Sequence, residues 1–299
     1  MTGKGTREEP YIISTVDDLY SLSTVGGAVY CELGADIDLN GTPYAEHFST
    51  IPLNCLSLDG KGHSIRNIYV NSPTNTVKIF EVQRDTSITN LIVENFEAIG
   101  LNIHIFASNN TNSKTVSLYN CTLILKITRL GTSPAGNNRN LMQYLTTVNT
   151  ELCTISVQGS MKLQYQIIKN SSYIRRTHIH LDITTQTANQ QGGADTSIVG
   201  YTNLTDSYIT GRISSPSALS GYLEMSYNAN FYNCYCALEF VNQSNIRWAN
   251  STFGSPCFYD RELSGDKNFV TTNFYGLTTA QCKDVEHLQS IGFIVEGAE

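Results

Sequence analysis

Hydrophobic and polar residues alternate in a short pattern that recurs along most of the chain. Each copy carries a small polar residue, often Asn, followed by positions of alternating character. Copies lie at residues 64–70, 87–93, 117–123, 151–157, 173–179, 203–209 and 230–236, with a last one at 248–253. A period of two is typical of β-strands, because successive side chains point to opposite faces. The pattern therefore predicts many short strands, each with one buried face.

The spacing of the copies predicts how these strands are arranged. Their polar positions fall at residues 67, 90, 120, 154, 176, 206, 233 and 250. Such steps lie within the range of solenoid repeats, and unequal steps favour a β-solenoid because its loops absorb insertions. One rung cannot bury its apolar face alone, whereas stacked rungs can. The sequence predicts an all-β chain folded as one right-handed parallel β-helix over residues 1–299.

Both ends of such a rod require caps, because unpaired strand edges promote aggregation. A helix-capping pattern at Ser14–Leu19 predicts a helix over 15–23, ahead of extended segments at 28–33 and 36–39. A second pattern, Thr278-x-x-Gln281, precedes Val285, Leu288 and Ile291. We therefore expect an N-terminal cap with entry strands at 1–48, rungs at 49–275 and a C-terminal cap at 276–299.

Side chains at the bends between strands are expected to satisfy buried backbone groups. Asn67, Asn90, Asn120 and Asn233 are predicted to point inward at equivalent corners, with Cys121 and Cys234 buried beside them. The eight cysteines are dispersed and form no Cys-x-x-Cys pair, which argues against a zinc knuckle or a redox motif. They are expected to be free thiols in the core.

Three stretches resemble a known group of proteins. Residues 36–41 (Asp-Ile-Asp-Leu-Asn-Gly), 58–67 and 276–279 are similar to GLUG-repeat and pectate-lyase-like β-helix proteins. The resemblance implies the fold, and it implies the settings in which such proteins occur, namely phage tail or appendage proteins and bacterial surface proteins. It implies no particular activity, because one fold hosts many functions.

Charge and hydropathy exclude several partners. The net charge is −7 and no Lys/Arg cluster is present, so no nucleic-acid partner is expected. No apolar run is long enough to span a bilayer, so membrane insertion is not predicted. The first residues lack the apolar stretch of a secretory signal. We expect a protein made in the host cytoplasm and carried in a virion, the alternative being an extracellular or cell-surface location.

One strand concentrates potential metal ligands. His178, His180 and Asp182 share one face of a predicted strand, while Ile179 and Ile183 share the other. Their spacing could bind zinc or iron, but no second ligand group is evident. An ordinary solvent-facing strand surface is the preferred interpretation, and no cofactor is expected.

A possible catalytic arrangement lies nearby. The expected register places Asp182 one rung before Arg212 and two rungs before Glu239. Two carboxylates near a guanidinium could hydrolyse a polysaccharide. The same ladder equally describes a solvated surface with compensating charges, which is favoured.

Aromatic residues suggest a binding face. The chain has 17 Tyr and a single Trp. The expected register places Tyr69, Tyr208 and Tyr235 at one outward position, with His178 between them. Flat amphipathic rings stack on sugars or anchor protein interfaces.

These features favour a non-enzymatic virion appendage, fibre or receptor-binding protein that recognises a host surface polysaccharide or protein. Alternatives are a tailspike-type polysaccharide depolymerase, acting as hydrolase or lyase, and a cell-surface adhesin module. Expected partners also include other virion proteins. The resemblance to phage fibres and spikes implies a homo-oligomer, with a trimer favoured.

Overall fold

The chain forms a parallel β-solenoid. The computed structural model describes residues 1–25, 27–42, 49–108, 114–129, 141, 143–144, 146–161, 168–169, 173–185, 197–215, 223–242, 246–249, 251–265 and 273–293. Within them the chain is almost entirely β-strand, with short helices near both ends. The predicted all-β parallel β-helix is therefore confirmed. No helix in the described residues is both long and apolar enough to cross a membrane.

The first sheet, sheet 1, collects one short strand from each successive rung. Its order is β1-β2-β5-β7-β9-β12-β15-β18-β21-β24 in the described chain. The strands are β1 (Tyr11–Ile13), β2 (Tyr30–Leu33), β5 (Ser57–Asp59), β7 (Thr86–Thr89), β9 (Lys114–Tyr119), β12 (Thr146–Glu151), β15 (Ile174–Arg175), β18 (Asn203–Thr205), β21 (Asn230–Tyr232) and β24 (Thr252–Phe253).

Sheet 2 collects the strand that follows in most rungs. Its order is β3-β6-β8-β10-β13-β16-β19-β22-β25-β26, with β4 beside β6 and β11 beside β8. The strands are β3 (Ile37–Asp38), β4 (Ile51–Leu53), β6 (Ser64–Val82), β8 (Ile92–Ala107), β10 (Thr122–Arg129), β11 (Gln143–Tyr144), β13 (Thr154–Met161), β16 (His178–Thr185), β19 (Tyr208–Ser214), β22 (Tyr235–Val241), β25 (Cys257–Asp260) and β26 (Phe274–Leu277).

Sheet 3 closes the later rungs. It contains β14 (Ile168–Lys169), β17 (Ser197–Gly200), β20 (Leu223–Tyr227) and β23 (Ile246–Ala249). The strand pairs within all three sheets are parallel. Each rung thus returns the chain to sheet 1 one strand further along the rod.

Apolar side chains stack in columns through the interior. One column in sheet 2 contains Ile65, Val93, Leu123, Ile155, Ile179 and Ile209 in mutual register. None of them is more than 3% exposed. Burial of such a side chain stabilises the fold by about 1.5–3 kcal/mol relative to leaving it in water. The inward-facing apolar side chains of the alternating pattern therefore hold the rungs together.

The bend between sheet 1 and sheet 2 uses left-handed backbone. Residues at this bend with positive φ are Asn90, Asn120, Leu152, Arg176, Asp206 and Asn233. Asn tolerates this conformation better than most residues, which explains its recurrence in the sequence copies. The 151–157 copy therefore turns at Leu152 and not at Thr154, and Asn250 of the last copy lies outside the described residues.

The amides at this bend form a ladder along the rod. Asn90 Nδ2 donates to Asp59 Oδ1 at 3.0 Å, Asn120 Nδ2 donates to Asn90 Oδ1 at 2.7 Å, and Asn233 Nδ2 donates to Asp206 Oδ1 at 2.7 Å. Asn120 is solvent-exposed, so the prediction that these side chains all point inward is wrong. They bond along the edge of the rod because a left-handed residue projects its side chain out of the bend. The predicted burial of Cys121 and Cys234 is confirmed.

Asn67 does not belong to this bend, and its predicted equivalence to Asn90 is wrong. It lies within β6, between Arg66 and Ile68, which pair with Glu94 and Phe96 of β8. Its φ of 59° matches the 48° of Asn95 in β8. Both residues are insertions that form bulges, since one extra residue separates two inward side chains.

The predicted N-terminal helix closes the first end. Helix α1 spans Val16–Ser21, and the Thr15 hydroxyl accepts a hydrogen bond from the Asp18 amide at 3.1 Å. Leu19 and Leu22 are fully buried against the core. The capping pattern read from the sequence therefore marks the start of the helix.

The C-terminal cap covers the other end. Thr278 and Gln281 exchange hydrogen bonds, with Thr278 N donating to Gln281 Oε1 and Gln281 N donating to Thr278 Oγ1. A 3₁₀ helix at Gln281–Lys283 and helix α2 (Val285–Ser290) follow. Leu288 packs with Phe258 and Leu277, whereas Val285 is 39% exposed. Only one side of this short helix therefore faces the rod.

Candidate binding face

The outer face of sheet 2 carries the residues that the sequence singled out. In β16, Ile179, Leu181 and Ile183 are buried, while His178, His180 and Asp182 lie on the solvent side. This confirms the predicted facing of the strand. The outward positions of neighbouring strands align as rows along the rod, because the pairing is in register.

One row is built from charged and amide side chains and is called the ionic row. In order along the rod it contains Glu97, Lys126, Gln158, Asp182, Arg212 and Glu239. Its members are spaced by about 4.8 Å, the separation of neighbouring strands. Asp182, Arg212 and Glu239 therefore occupy consecutive strands, as the sequence predicted.

Two ion pairs organise the ionic row. Lys126 Nζ lies 3.0 Å from Glu97 Oε1, and Arg212 Nε lies 3.4 Å from Glu239 Oε2. All four side chains are more than a third exposed, so each pair contributes at most about 1 kcal/mol to stability. These charged side chains remain available to a ligand, because replacing a solvent-exposed ion pair with a contact to the ligand costs little free energy.

Tyr69 lies in line with the ionic row, next to Glu97, and not in the row that contains Tyr208. It pairs with Glu97, whereas Tyr208 pairs with His178 and Tyr235. The predicted common position of all three tyrosines is therefore wrong. The error arises from Asn67. The prediction treated Asn67 as the bend before the sheet 2 strand, but it is a bulge inside that strand. Tyr69 therefore lies further along its strand than Tyr208 does.

A second row, the aromatic row, consists of His178, Tyr208, Tyr235, Phe258 and Tyr275. The rings of His178 and Tyr208 stack with centroids 4.3 Å apart and planes at 18°. The predicted alignment of His178, Tyr208 and Tyr235 is confirmed. Tyr208 is 43% exposed, so one face of this stacked pair is accessible.

Tyr235 belongs to the C-terminal cap more than to the open face. Its ring stacks on Phe258 at 4.5 Å, and Phe258 in turn meets Phe293 edge-on. Burial, assisted by nearby Cys282 and Asp260, raises the pKa of the Tyr235 phenol. The accessible aromatic surface is therefore centred on Tyr208.

The Thr210 hydroxyl lies within hydrogen-bonding distance of both His178 and His180. Thr210 Oγ1 lies 2.7 Å from His178 Nε2 and 3.0 Å from His180 Nδ1. Within the described residues, no group of three or more His, Cys, Asp or Glu side chains is placed to hold a metal ion. His178, His180 and Asp182 are thus neighbours on one strand without forming a common coordination centre.

The His178 ring predicts a pH dependence of stability. Burial, together with the charge of His180, lowers the pKa of His178 below 6.5. The unfolded chain then binds a proton more readily than the folded one, so stability falls as pH drops below about 6.5. The denaturant midpoint is measured at several values between about pH 5 and pH 8. As the pH is lowered, the midpoint of His178→Gln should fall less steeply than that of the wild type. Equal slopes for the two proteins would contradict the inference.

A groove beside the ionic row was not predicted. It has a volume of ≈ 350 Å³ and is lined by Asn95, Glu97, Ile124, Lys126 and Gln158, among others. The bulge at Asn95 shifts the pairing of β8 with β10 and opens the surface there. The sequence did contain a signal, because inward Val93 and Phe96 are separated by two residues instead of one.

A second groove lies beside helix α1. Its volume is ≈ 570 Å³, and its lining includes Asp17, Tyr20, Thr50 and Glu81. The Tyr20 hydroxyl donates to the carbonyl oxygen of Ser49 at 2.8 Å, which fixes one wall. This groove is separate from the two rows, since none of its lining residues belongs to them.

No family model matches the chain, and no curated protein matches it. A crystal structure described as a "putative immunoglobulin A1 protease" from Bacteroides ovatus aligns with 13% identity and a TM-score of 0.39. The alignment covers 96% of this chain and 89% of that one.

Proposed function

We propose that this protein is a non-enzymatic recognition module whose outer sheet 2 face binds a host surface component. The observation that carries the proposal is the ionic row, a line of acidic, basic and amide side chains that extends over six consecutive strands. Neither its charges nor the Tyr208 ring are needed to hold the core. A solenoid typically binds through such an extended surface.

A polysaccharide is the ligand class that this face fits best. Exposed Tyr208 offers a flat ring for stacking on a sugar. Gln158, Lys126 and Arg212 offer hydrogen-bond donors in the ionic row, which crosses the same sheet four residues further along the strands. The groove at Asn95 adds a concave apolar contact through Ile124. A repeating ligand suits the face, since equivalent contacts recur from strand to strand.

We further propose that the protein acts as part of a virion appendage or fibre, in a homo-oligomer and beside other virion proteins. The sequence resemblance to phage appendage proteins supports this placement, with a trimer favoured. Several copies engaging together would convert weak single contacts into firm attachment. Detection of the chain in purified virions by mass spectrometry tests the placement, and detection only on bacterial cells would favour the adhesin alternative.

Removing the accessible ring should weaken host binding. Tyr208→Ala is expected to reduce the affinity for host cells or their purified polysaccharide roughly 2- to 12-fold, because loss of one stacking contact costs ~0.5–1.5 kcal/mol. Tyr232→Ala is the matched control, because Tyr232 is 40% exposed but lies on sheet 1. Equal adsorption by the two folded variants would remove Tyr208 from the binding face.

A depolymerase remains the second candidate, on the placement of Asp182 and Glu239. They lie two strands apart, roughly 9.6 Å between backbones, which is close to the carboxylate separation of inverting glycosidases. Arg212, between them, is ion-paired with Glu239. Incubation with host polysaccharide should release no reducing ends if the protein only recognises it. Release that is abolished by Asp182→Ala or Glu239→Ala would establish the enzyme instead.

A further inference from the structure

Four buried cysteines occupy one interior column beside the bend between sheets 1 and 2. Successive rungs place at this position Leu91, Cys121, Cys153, Thr177, Ser207, Cys234 and Cys257, as the backbone bonds between rungs and the strand register show. Cys121 and Cys153 lie on adjacent rungs, and so do Cys234 and Cys257. The column therefore contains two pairs of vertically stacked thiols.

The two thiols of each pair lie on neighbouring rungs and belong to the same interior column. The Cys234 amide donates to Cys257 Sγ at 3.3 Å, so these two rungs approach closely at the cysteines. Neighbouring strands are about 4.8 Å apart, which falls within the range of Cα separations that a disulfide spans.

The other four cysteines are placed differently. Cys31 lies opposite Leu58, and Cys236 lies between Ile209 and Tyr259. Cys55 and Cys282 lie outside the strands, and Cys282 packs with Tyr235 in the C-terminal cap.

We propose that Cys121–Cys153 and Cys234–Cys257 are two sites of disulfide formation between rungs, formed when the chain folds in the presence of a disulfide oxidant such as oxidised glutathione. One site lies in the middle of the rod and the other lies near its C-terminal end. Each cross-link would join one rung to the next and so oppose their separation.

The chemistry is a pair of thiol–disulfide exchanges. In the middle pair, the Cys153 thiolate attacks one sulfur of oxidised glutathione and releases a glutathione thiolate. The Cys121 thiolate then attacks the Cys153 sulfur of the mixed disulfide and releases the second glutathione. The two protons from the cysteines pass to the two glutathione thiolates. Either thiol of the pair can make the first attack, because the exchange takes place before the rungs close.

The timing follows from burial. Cys121, Cys153 and Cys257 are at most 2% exposed, so an oxidant reaches them only before the rungs close. Folded, reduced protein should therefore resist oxidation, and the cross-links should appear only when folding and oxidation occur together.

The test is to refold the denatured, reduced chain with mixed reduced and oxidised glutathione, and in parallel with dithiothreitol. The monodisperse fraction with a native far-ultraviolet circular dichroism spectrum is then alkylated in denaturant. Mass spectrometry gives the number of alkyl groups per chain. We expect eight alkyl groups after dithiothreitol and four after glutathione, on Cys31, Cys55, Cys236 and Cys282. Peptide mapping should show the two named pairs, and the denaturant midpoint should be higher for the oxidised sample.

A variant checks the assignment. Cys121→Ser should leave five alkyl groups after glutathione, the additional one on Cys153, with the Cys234–Cys257 pair intact. Eight groups in both wild-type samples, or disulfides between other cysteines, would overturn the proposal. Recovery of native protein only in dithiothreitol would overturn it as well, because cross-links would then be incompatible with the fold.

Discussion

Replacing Gly211 with alanine is expected to destabilise the protein by about 4 kcal/mol or more, or to prevent folding. Gly211 has a φ of +116°, and a Cβ there would lie 2.0 Å from the carbonyl oxygen of Leu181. That oxygen belongs to the paired strand β16, so neither backbone can withdraw without breaking the register. Urea unfolding followed by circular dichroism measures the loss.

Gly62→Ala provides the control. Gly62 also has a positive φ, +81°, but a Cβ there would meet no atom within 4 Å. Only the backbone strain of a non-glycine residue applies, so we expect a loss of about 1 kcal/mol. Similar losses at the two glycines would show that close packing between rungs does not constrain position 211.

Removing the Asp260 carboxylate should detach the C-terminal cap and cost roughly 2–4 kcal/mol. Asp260 is 3% exposed and accepts hydrogen bonds from the amides of Glu262 and Leu263 and, at 2.8 Å, from the Thr279 hydroxyl. Asp260→Ala leaves these partly buried hydrogen bonds without their acceptor. Besides the lower denaturant midpoint, we expect faster thiol labelling of Cys282, because the cap covers it.

Glu262→Ala is the matched comparison for this prediction. The Glu262 side chain accepts a bond from the Thr279 amide at 2.8 Å but is exposed, so its loss should cost less than about 1 kcal/mol. If the two variants were equally stable and labelled Cys282 at equal rates, Asp260 would not be the residue that fastens the cap.

The architecture was predictable because the interior repeats. Inward residues such as Leu123, Ile155 and Ile179 recur at the same strand position, and a period of two followed by a bend leaves few alternatives to stacked rungs. Capping patterns at Thr15 and Thr278 are local and were equally readable. Strand alternation and helix capping both arise from residues that are close in sequence, so the sequence alone reveals them.

The candidate face was only partly predictable, because its register depends on bulges. Aligning the copies by their Asn residues treated Asn67 as a bend, and this displaced Tyr69 from its true row. The half-burial of Tyr235 depends on Phe258 and Phe293, which come from later rungs and from the chain after helix α2. A contact between segments so far apart leaves no trace in the local pattern of the strand.

Blocking the outer face of sheet 2 with a bulky label tests the proposed recognition most directly. Asp182→Cys places an exposed thiol in the ionic row, and Arg175→Cys places one on sheet 1. Both are made in a Cys282→Ser background, where the native thiols are buried, and both are coupled to a maleimide polymer. Adsorption to host cells should be abolished by the label at position 182 and retained with the label at position 175. Full adsorption of the protein labelled at 182 would contradict the account.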